Sequence, residues 1–141
     1  MIKVLLALAA SGCGLYYSPD VGGLQGGAAT CDNTDSDPTT PVSFANDVHP
    51  LMTRGMGGCG CHLGRQTSGL DLSSYESLRR GGLNSGSKIV IAGDPCHSIL
   101  PQKVDYPAPF GSRMPLNGPP YLDDPQIQLI RDWIAEGALD N

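Results

Sequence analysis

The sequence is poor in the features that support a large hydrophobic core, a membrane span or a nucleic-acid interface. Aromatic residues make up only 6% of the 141 residues, and small domains with few large side chains usually need a disulfide or a cofactor. The net charge is −5 and no basic run is present, so we expect no nucleic-acid partner. The longest apolar run, residues 4–10, is too short to cross a bilayer.

Familiar catalytic patterns are missing as well. The sequence has no recognisable Ser/His/Asp arrangement, no paired carboxylates, no phosphate-binding loop and no strand-like alternation. It is rich in loop-forming residues, with 19 glycines and 12 prolines. These features predict a small, mainly α-helical domain of short helices and long Pro/Gly loops, and they do not favour an enzyme.

The N-terminus is typical of an exported bacterial lipoprotein. Lys3 and the apolar run precede the sequence A-S-G-C, which resembles a lipobox that ends at Cys13. We expect residues 1–13 to be the signal and Cys13 to be acylated, which anchors the protein to a membrane facing the periplasm or the cell exterior. An ordinary secretory signal is the alternative. Residues 14–41 lack apolar periodicity and are predicted to be a flexible linker.

Helix signals begin again in residues 42–141, the predicted folded domain. Ser43 is expected to cap a first helix that Pro50 interrupts or ends. Ser73 and Glu76 have the spacing of a capping box for a second helix, and a Gly-Gly pair follows it.

The next segments are less regular. Residues 88–91 are predicted to be briefly extended, and Asp94-Pro95 has the pattern of a helix start. Pro101 is expected to end that helix early. Residues 106–120 contain five prolines and are predicted to form an ordered loop.

The last helix is the clearest. Asp124-Pro125 is expected to start it and Gly137 to end it. Its apolar residues recur at helical spacing and are predicted to share one face. They are Ile127, Ile130, Trp133 and Ile134.

Cys61-His62 forms the second half of the haem c attachment signature, C-x-x-C-H. The regular spacing would place a cysteine where Gly58 stands, and the nearest cysteine is Cys59. On a helix, residues two apart point about 200° apart, so both sulfurs cannot reach the two haem vinyl groups in the usual way. Cys61 is therefore the expected thioether and His62 the expected iron ligand. Cys59 is either a second thioether on a bulged backbone or half of a disulfide.

The cysteine count leaves the pairing open. If haem takes both Cys59 and Cys61, then Cys31 and Cys96 can pair. If haem takes only Cys61, a disulfide between Cys59 and Cys96 is expected. A disulfide-stapled domain without a cofactor is an alternative for the whole cluster, and zinc is another, although no second ligand pair has finger-like spacing.

Five short segments follow one another in a recognisable order. They are Cys61-His62, Gly69-Leu70-Asp71-Leu72-Ser73-Ser74-Tyr75, Ala92-Gly93-Asp94-Pro95, Ser112-Arg113-Met114-Pro115 and Ile130-Arg131-Asp132-Trp133-Ile134-Ala135-Glu136-Gly137-Ala138. Together they resemble the bacterial c-type cytochrome domains built on the cytochrome c fold. The similarity extends over residues 42–141 and departs from the family at Gly58, where the family has cysteine.

The resemblance implies one covalent haem c, with His62 as proximal ligand and Met114 as sixth ligand. It also implies that the first and last helices, which carry Phe44 and Trp133, cross each other. The sequence around Met114 supports the same assignment, because a proline-bounded loop is a rigid support for a soft thioether. Ligation by histidine and methionine raises the reduction potential.

Other residues near the expected site have competing interpretations. His97 and His49 are rivals for the sixth position; otherwise His97 is expected in the first turn of its helix and His49 at the surface. Arg113 is expected either to contact a haem propionate or to be exposed, and Met52 is expected in the core.

An iron held on both sides has no open position for a substrate. We therefore expect an electron carrier that docks with redox partner proteins while tethered to a membrane. The alternatives are a disulfide-stapled surface lipoprotein that binds or scaffolds, and a peroxidase-like haem enzyme in which Met114 is displaced.

Overall fold

The computed structural model describes residues 41–55, 60–64 and 66–141. This part of the chain is mainly helical and has no strand, which confirms the predicted mainly α class. No helix within these ranges is long and apolar enough to span a membrane. The predicted signal and all of the linker except Pro41 lie outside the described residues.

The first helical segment consists of two wide, π-type turns, Phe44–Val48 and Leu51–Gly55. Ser43 is the N-cap, as predicted, and its hydroxyl accepts a hydrogen bond from the backbone N–H of Asn46 at 3.1 Å. Pro50 lies at the junction of the two turns, and the backbone there remains helical. The proline interrupts the regular hydrogen-bond pattern without ending the segment.

Helix α1 spans Tyr75–Arg80. Its N-cap is Ser74, one residue after the predicted N-cap, Ser73. The box is formed by Ser74 and Ser77, and the prediction that used Ser73 and Glu76 was wrong. Ser77 supplies a hydroxyl in the position that glutamate usually takes. Gly81 ends the helix with a φ of 71°, and a Cβ there would clash with the carbonyl oxygen of Gly86.

The segment after α1 is not extended over residues 88–91 as predicted. Lys88 and Ile89 belong to the 3₁₀ turn Gly86–Ile89, and the backbone is extended at Val90. Asp94 was predicted to start a helix, but a turn over residues 95–97 follows it. The Asp94 carboxylate caps this turn by accepting the backbone N–H of His97 at 3.2 Å.

Helix α2 spans Ile99–Val104 and contains Pro101 in its first turn. The predicted stop at Pro101 was wrong for a physical reason. The first four N–H groups of a helix have no intrahelical acceptor, so a proline there removes no hydrogen bond. Pro101 is buried, so it also contributes to the core.

Helix α3 spans Asp124–Ala135 and forms the main wall of the core. Asp123 and Gln126 make a reciprocal capping box, and Pro125 lies in the first turn. The predicted apolar face is buried along its whole length. It comprises Ile127, Ile130, Trp133 and Ile134.

The first helical segment, which carries Phe44, packs against α3, which carries Trp133. The rings of Phe44 and Trp133 have centroids 5.4 Å apart, and Tyr75 meets the Phe44 ring edge-on at 5.3 Å. The polar ends of the aromatic side chains are satisfied, since Trp133 Nε1 donates to Leu139 O at 2.9 Å and Tyr75 Oη to Ala138 O at 2.8 Å. This aromatic cluster joins the two ends of the domain.

Candidate functional site

A cavity of about 250 Å³ lies beside the core, between the segment after Cys61, helix α2 and the proline-rich loop. Most of its lining is apolar, with six aliphatic side chains contributing. They are Leu70, Leu72, Ile89, Ile99, Leu100 and Val104. His62 and Met114, the two predicted iron ligands, both line this cavity although they are distant in the sequence.

His62 is held by the chain that follows it. Its Nδ1 donates to the carbonyl oxygen of Leu70 at 3.3 Å, since a carbonyl can only accept. Its own carbonyl accepts the N–H of Leu72 at 2.7 Å. With the proton on Nδ1, the lone pair is on Nε2, the arrangement that metal-binding histidines commonly have.

Cys61 precedes His62 in the 3₁₀ turn Gly60–His62. Its side chain is exposed and it is a free thiol. The sulfur is therefore available for the predicted thioether bond. Cys59 lies outside the described residues, as do Cys13 and Cys31.

The other described cysteine, Cys96, is disulfide-bonded. That agrees with both pairings considered from the sequence, each of which used Cys96.

Met114 is positioned by α2. Its backbone N–H donates to the carbonyl oxygen of Lys103 at 2.8 Å, and its partly buried side chain packs against the core. The loop that contains it, residues 106–120, has no regular helix or strand, as predicted. These contacts bring the Met114 thioether to a cavity that is also lined by the His62 side chain.

Two cavity residues were not identified as functional from the sequence. Met52, predicted as a core residue, is only 2% exposed but also lines the cavity, so it is a second thioether at the same site. Its helical spacing gave a core signal and no functional one. Lys103 also belongs to the described lining and brings an ammonium group to it. Burial lowers the pKa of that group.

The other predicted site residues lie elsewhere. Arg113 does not line the cavity. Its guanidinium instead binds backbone carbonyls, with Nε donating to Val104 O at 2.8 Å and Nη2 to Leu122 O at 3.0 Å.

The two rival histidines are also away from the cavity lining. His49 Nε2 donates to Leu72 O at 3.0 Å and its ring is 5.4 Å from that of Phe44. His97 is exposed and pairs with Asp94 at 2.8 Å. It precedes α2, so the prediction that it lies in the first turn of a helix was wrong.

The cavity suits a haem in its chemistry. It offers one nitrogen donor, Nε2 of His62, and a thioether from Met114 or Met52, set among aliphatic side chains. Haem iron takes histidine and methionine ligands, and its porphyrin needs apolar surroundings. Cys61 does not line the cavity, but its free, exposed thiol directly precedes His62 and would be the covalent attachment point. The residues present thus fit the group that the sequence predicts.

Within the described ranges, no three or more His, Cys, Asp or Glu side chains come together as a metal site. Comparison of the chain with protein-family models, with characterised proteins and with solved structures finds no match.

Proposed function

We propose that this protein is an electron carrier of the cytochrome c type, with one haem c attached through Cys61. The observation that carries the proposal is the presence of His62 and Met114 in the lining of one apolar cavity. His62 Nε2 and the Met114 sulfur would hold the iron. When bound, the haem supplies an iron that exchanges one electron between its ferric and ferrous states.

The residues of the chain have distinct tasks in this function. Leu70 fixes the tautomer and orientation of His62 through the hydrogen bond to Nδ1. The aliphatic lining would keep water from the iron, which helps to set its potential. The Met114 thioether would bind the iron and leave it no open site for a substrate, and thioether ligation favours a high potential.

The cellular setting is proposed from the sequence alone. The signal that ends at Cys13 and the segment 14–41 support an exported, lipid-anchored protein whose domain reaches redox partner proteins near a membrane. The folded domain would exchange electrons with those partners outside the cytoplasm.

A pyridine haemochrome spectrum tests the proposal on protein matured in a host with haem c assembly machinery. A spectrum of covalent haem is expected, with a band to the red of ordinary haem c because one vinyl group remains. Absence of haem would refute the proposal. Unchanged attachment in Cys59→Ala would assign the thioether to Cys61 alone.

Two observations are also what a second candidate requires, a disulfide-stapled surface lipoprotein without a cofactor. Cys96 is disulfide-bonded, and a small apolar cavity is also what a binding protein for a small apolar ligand offers. A colourless purified protein that loses its fold on reduction would favour this candidate. Rapid carbon monoxide binding by the reduced protein would instead favour a peroxidase-like enzyme.

A further inference from the structure

The loop that carries Met114 has no regular secondary structure, so side-chain contacts must hold the methionine in place. The backbone bond from Met114 N to Lys103 O ties the loop to α2 at one point. One such hydrogen bond adds little net stability, too little to fix a long loop by itself.

Lys103 adds contacts on the N-terminal side of the methionine. Its Nζ donates to Phe110 O at 2.8 Å and to Ser112 O at 2.5 Å. The same ammonium group lies 4.8 Å from the centroid of the Phe110 ring, within the range of a cation–π contact. One side chain from α2 therefore binds two carbonyl groups and one ring of the loop.

Arg113 binds the chain immediately next to the methionine. Its guanidinium donates to Val104 O, at the end of α2, and to Leu122 O, just before α3. It also lies 4.5 Å from the centroid of the Tyr121 ring. These contacts connect Met114 to both helices that flank the loop.

We propose that Lys103 and Arg113 are positioning residues that together hold the Met114 thioether at the cavity. Hydrogen bonds from charged donors are about twice as strong as neutral ones, and these bind backbone carbonyls on both sides of the loop. The consequence at the iron rests on the proposed function. A thioether on a loosened loop is displaced more easily by an added ligand.

The test uses the full haem-loaded chain and the variants Lys103→Leu and Arg113→Leu, which remove the donors, keep an apolar side chain and add no sulfur. Lys88→Leu is the matched control, because Lys88 is exposed. Imidazole titration of the ferric protein measures how readily Met114 is displaced. Each positioning variant should bind imidazole about tenfold more tightly, or about 1.4 kcal/mol, and should weaken the sulfur-to-iron absorption band. The control should match the parent.

Parent-like imidazole affinity in both positioning variants would overturn the proposal. Circular dichroism checks folding, and a variant that does not fold is replaced by Lys103→Gln or Arg113→Gln.

If the protein contains no haem, the proposed function fails while the positioning role is still measurable. Amide hydrogen exchange at Met114 should then be about tenfold faster in Lys103→Leu than in Lys88→Leu, and equal rates would overturn the positioning role.

Discussion

Replacing Met114 with leucine removes the thioether but keeps nearly the same side-chain volume. Met114 is partly buried against the core, and volume-conserving swaps of this kind cost less than about 1.5 kcal/mol. The change in packing should therefore lower the free energy of unfolding in urea by no more than about 1.5 kcal/mol. A larger loss in the haem-loaded protein would come from the lost sulfur-to-iron bond, because packing does not account for it.

At the proposed haem, the same substitution should have a large effect. Without the sulfur the sixth position is open, so carbon monoxide should bind the reduced variant and not the parent. The midpoint potential should fall, because methionine ligation raises it relative to other ligands. Both quantities are measured by absorbance, in a gas titration and a redox titration.

Met52→Leu is the matched control within the same cavity. Met52 is almost fully buried and lines the cavity beside the other residues, so the swap has a similarly small packing cost. We expect no carbon monoxide binding and an unchanged potential. If Met52→Leu opens the iron and Met114→Leu does not, the ligand assignment is refuted in favour of Met52. If neither variant does, methionine is not the sixth ligand.

The remaining predictions concern stability, anchoring and charge. Ile130→Ala, at a fully buried site on α3, should lower the free energy of unfolding by about 2–5 kcal/mol in urea, and a loss under about 1 kcal/mol would contradict the assigned core. Cys13→Ala should move the protein from the membrane to the soluble fraction, and continued membrane association would argue against the lipid anchor. The hydrogen bond from His97 lowers the pKa of Asp94 from 3.8, so its stabilising effect is present above that pH and is lost as pH falls through the lowered value. His97→Ala should raise the pKa of Asp94 in an NMR titration, and an unchanged value would assign the shift to another cause.

Helix α3 shows what could be read from the sequence. Its apolar residues recur at helical spacing over several turns, and its start carries Asp and Pro signals that act locally. The prediction of its buried face was confirmed residue by residue. The same holds for the Ser43 cap and the glycine stop after α1, since caps and positive φ depend on the local chain alone.

Local signals failed where position within a helix mattered. Pro101 was expected to end a helix, yet it lies in the first turn of α2, where a missing N–H has no cost. The capping box of α1 was placed one residue early because Ser73 and Ser74 are both suitable caps. In each case the local sequence allowed two positions for the start or end of the helix, and only the folded structure shows which one is used.

The residue types around the site were decided by the sequence. Cys61-His62 and Met114 carry the donor chemistry, and together with the ordered segments that resemble c-type cytochrome domains they predicted a haem site. The meeting of His62 and Met114 in one cavity was decided by the tertiary structure, because it depends on how α2 and the proline-rich loop pack against the segment after His62. The same packing turned Arg113 towards backbone carbonyls and brought Met52 and Lys103 to the cavity. A side chain's chemistry belongs to its residue, whereas its neighbours depend on contacts between parts of the chain that are far apart in sequence.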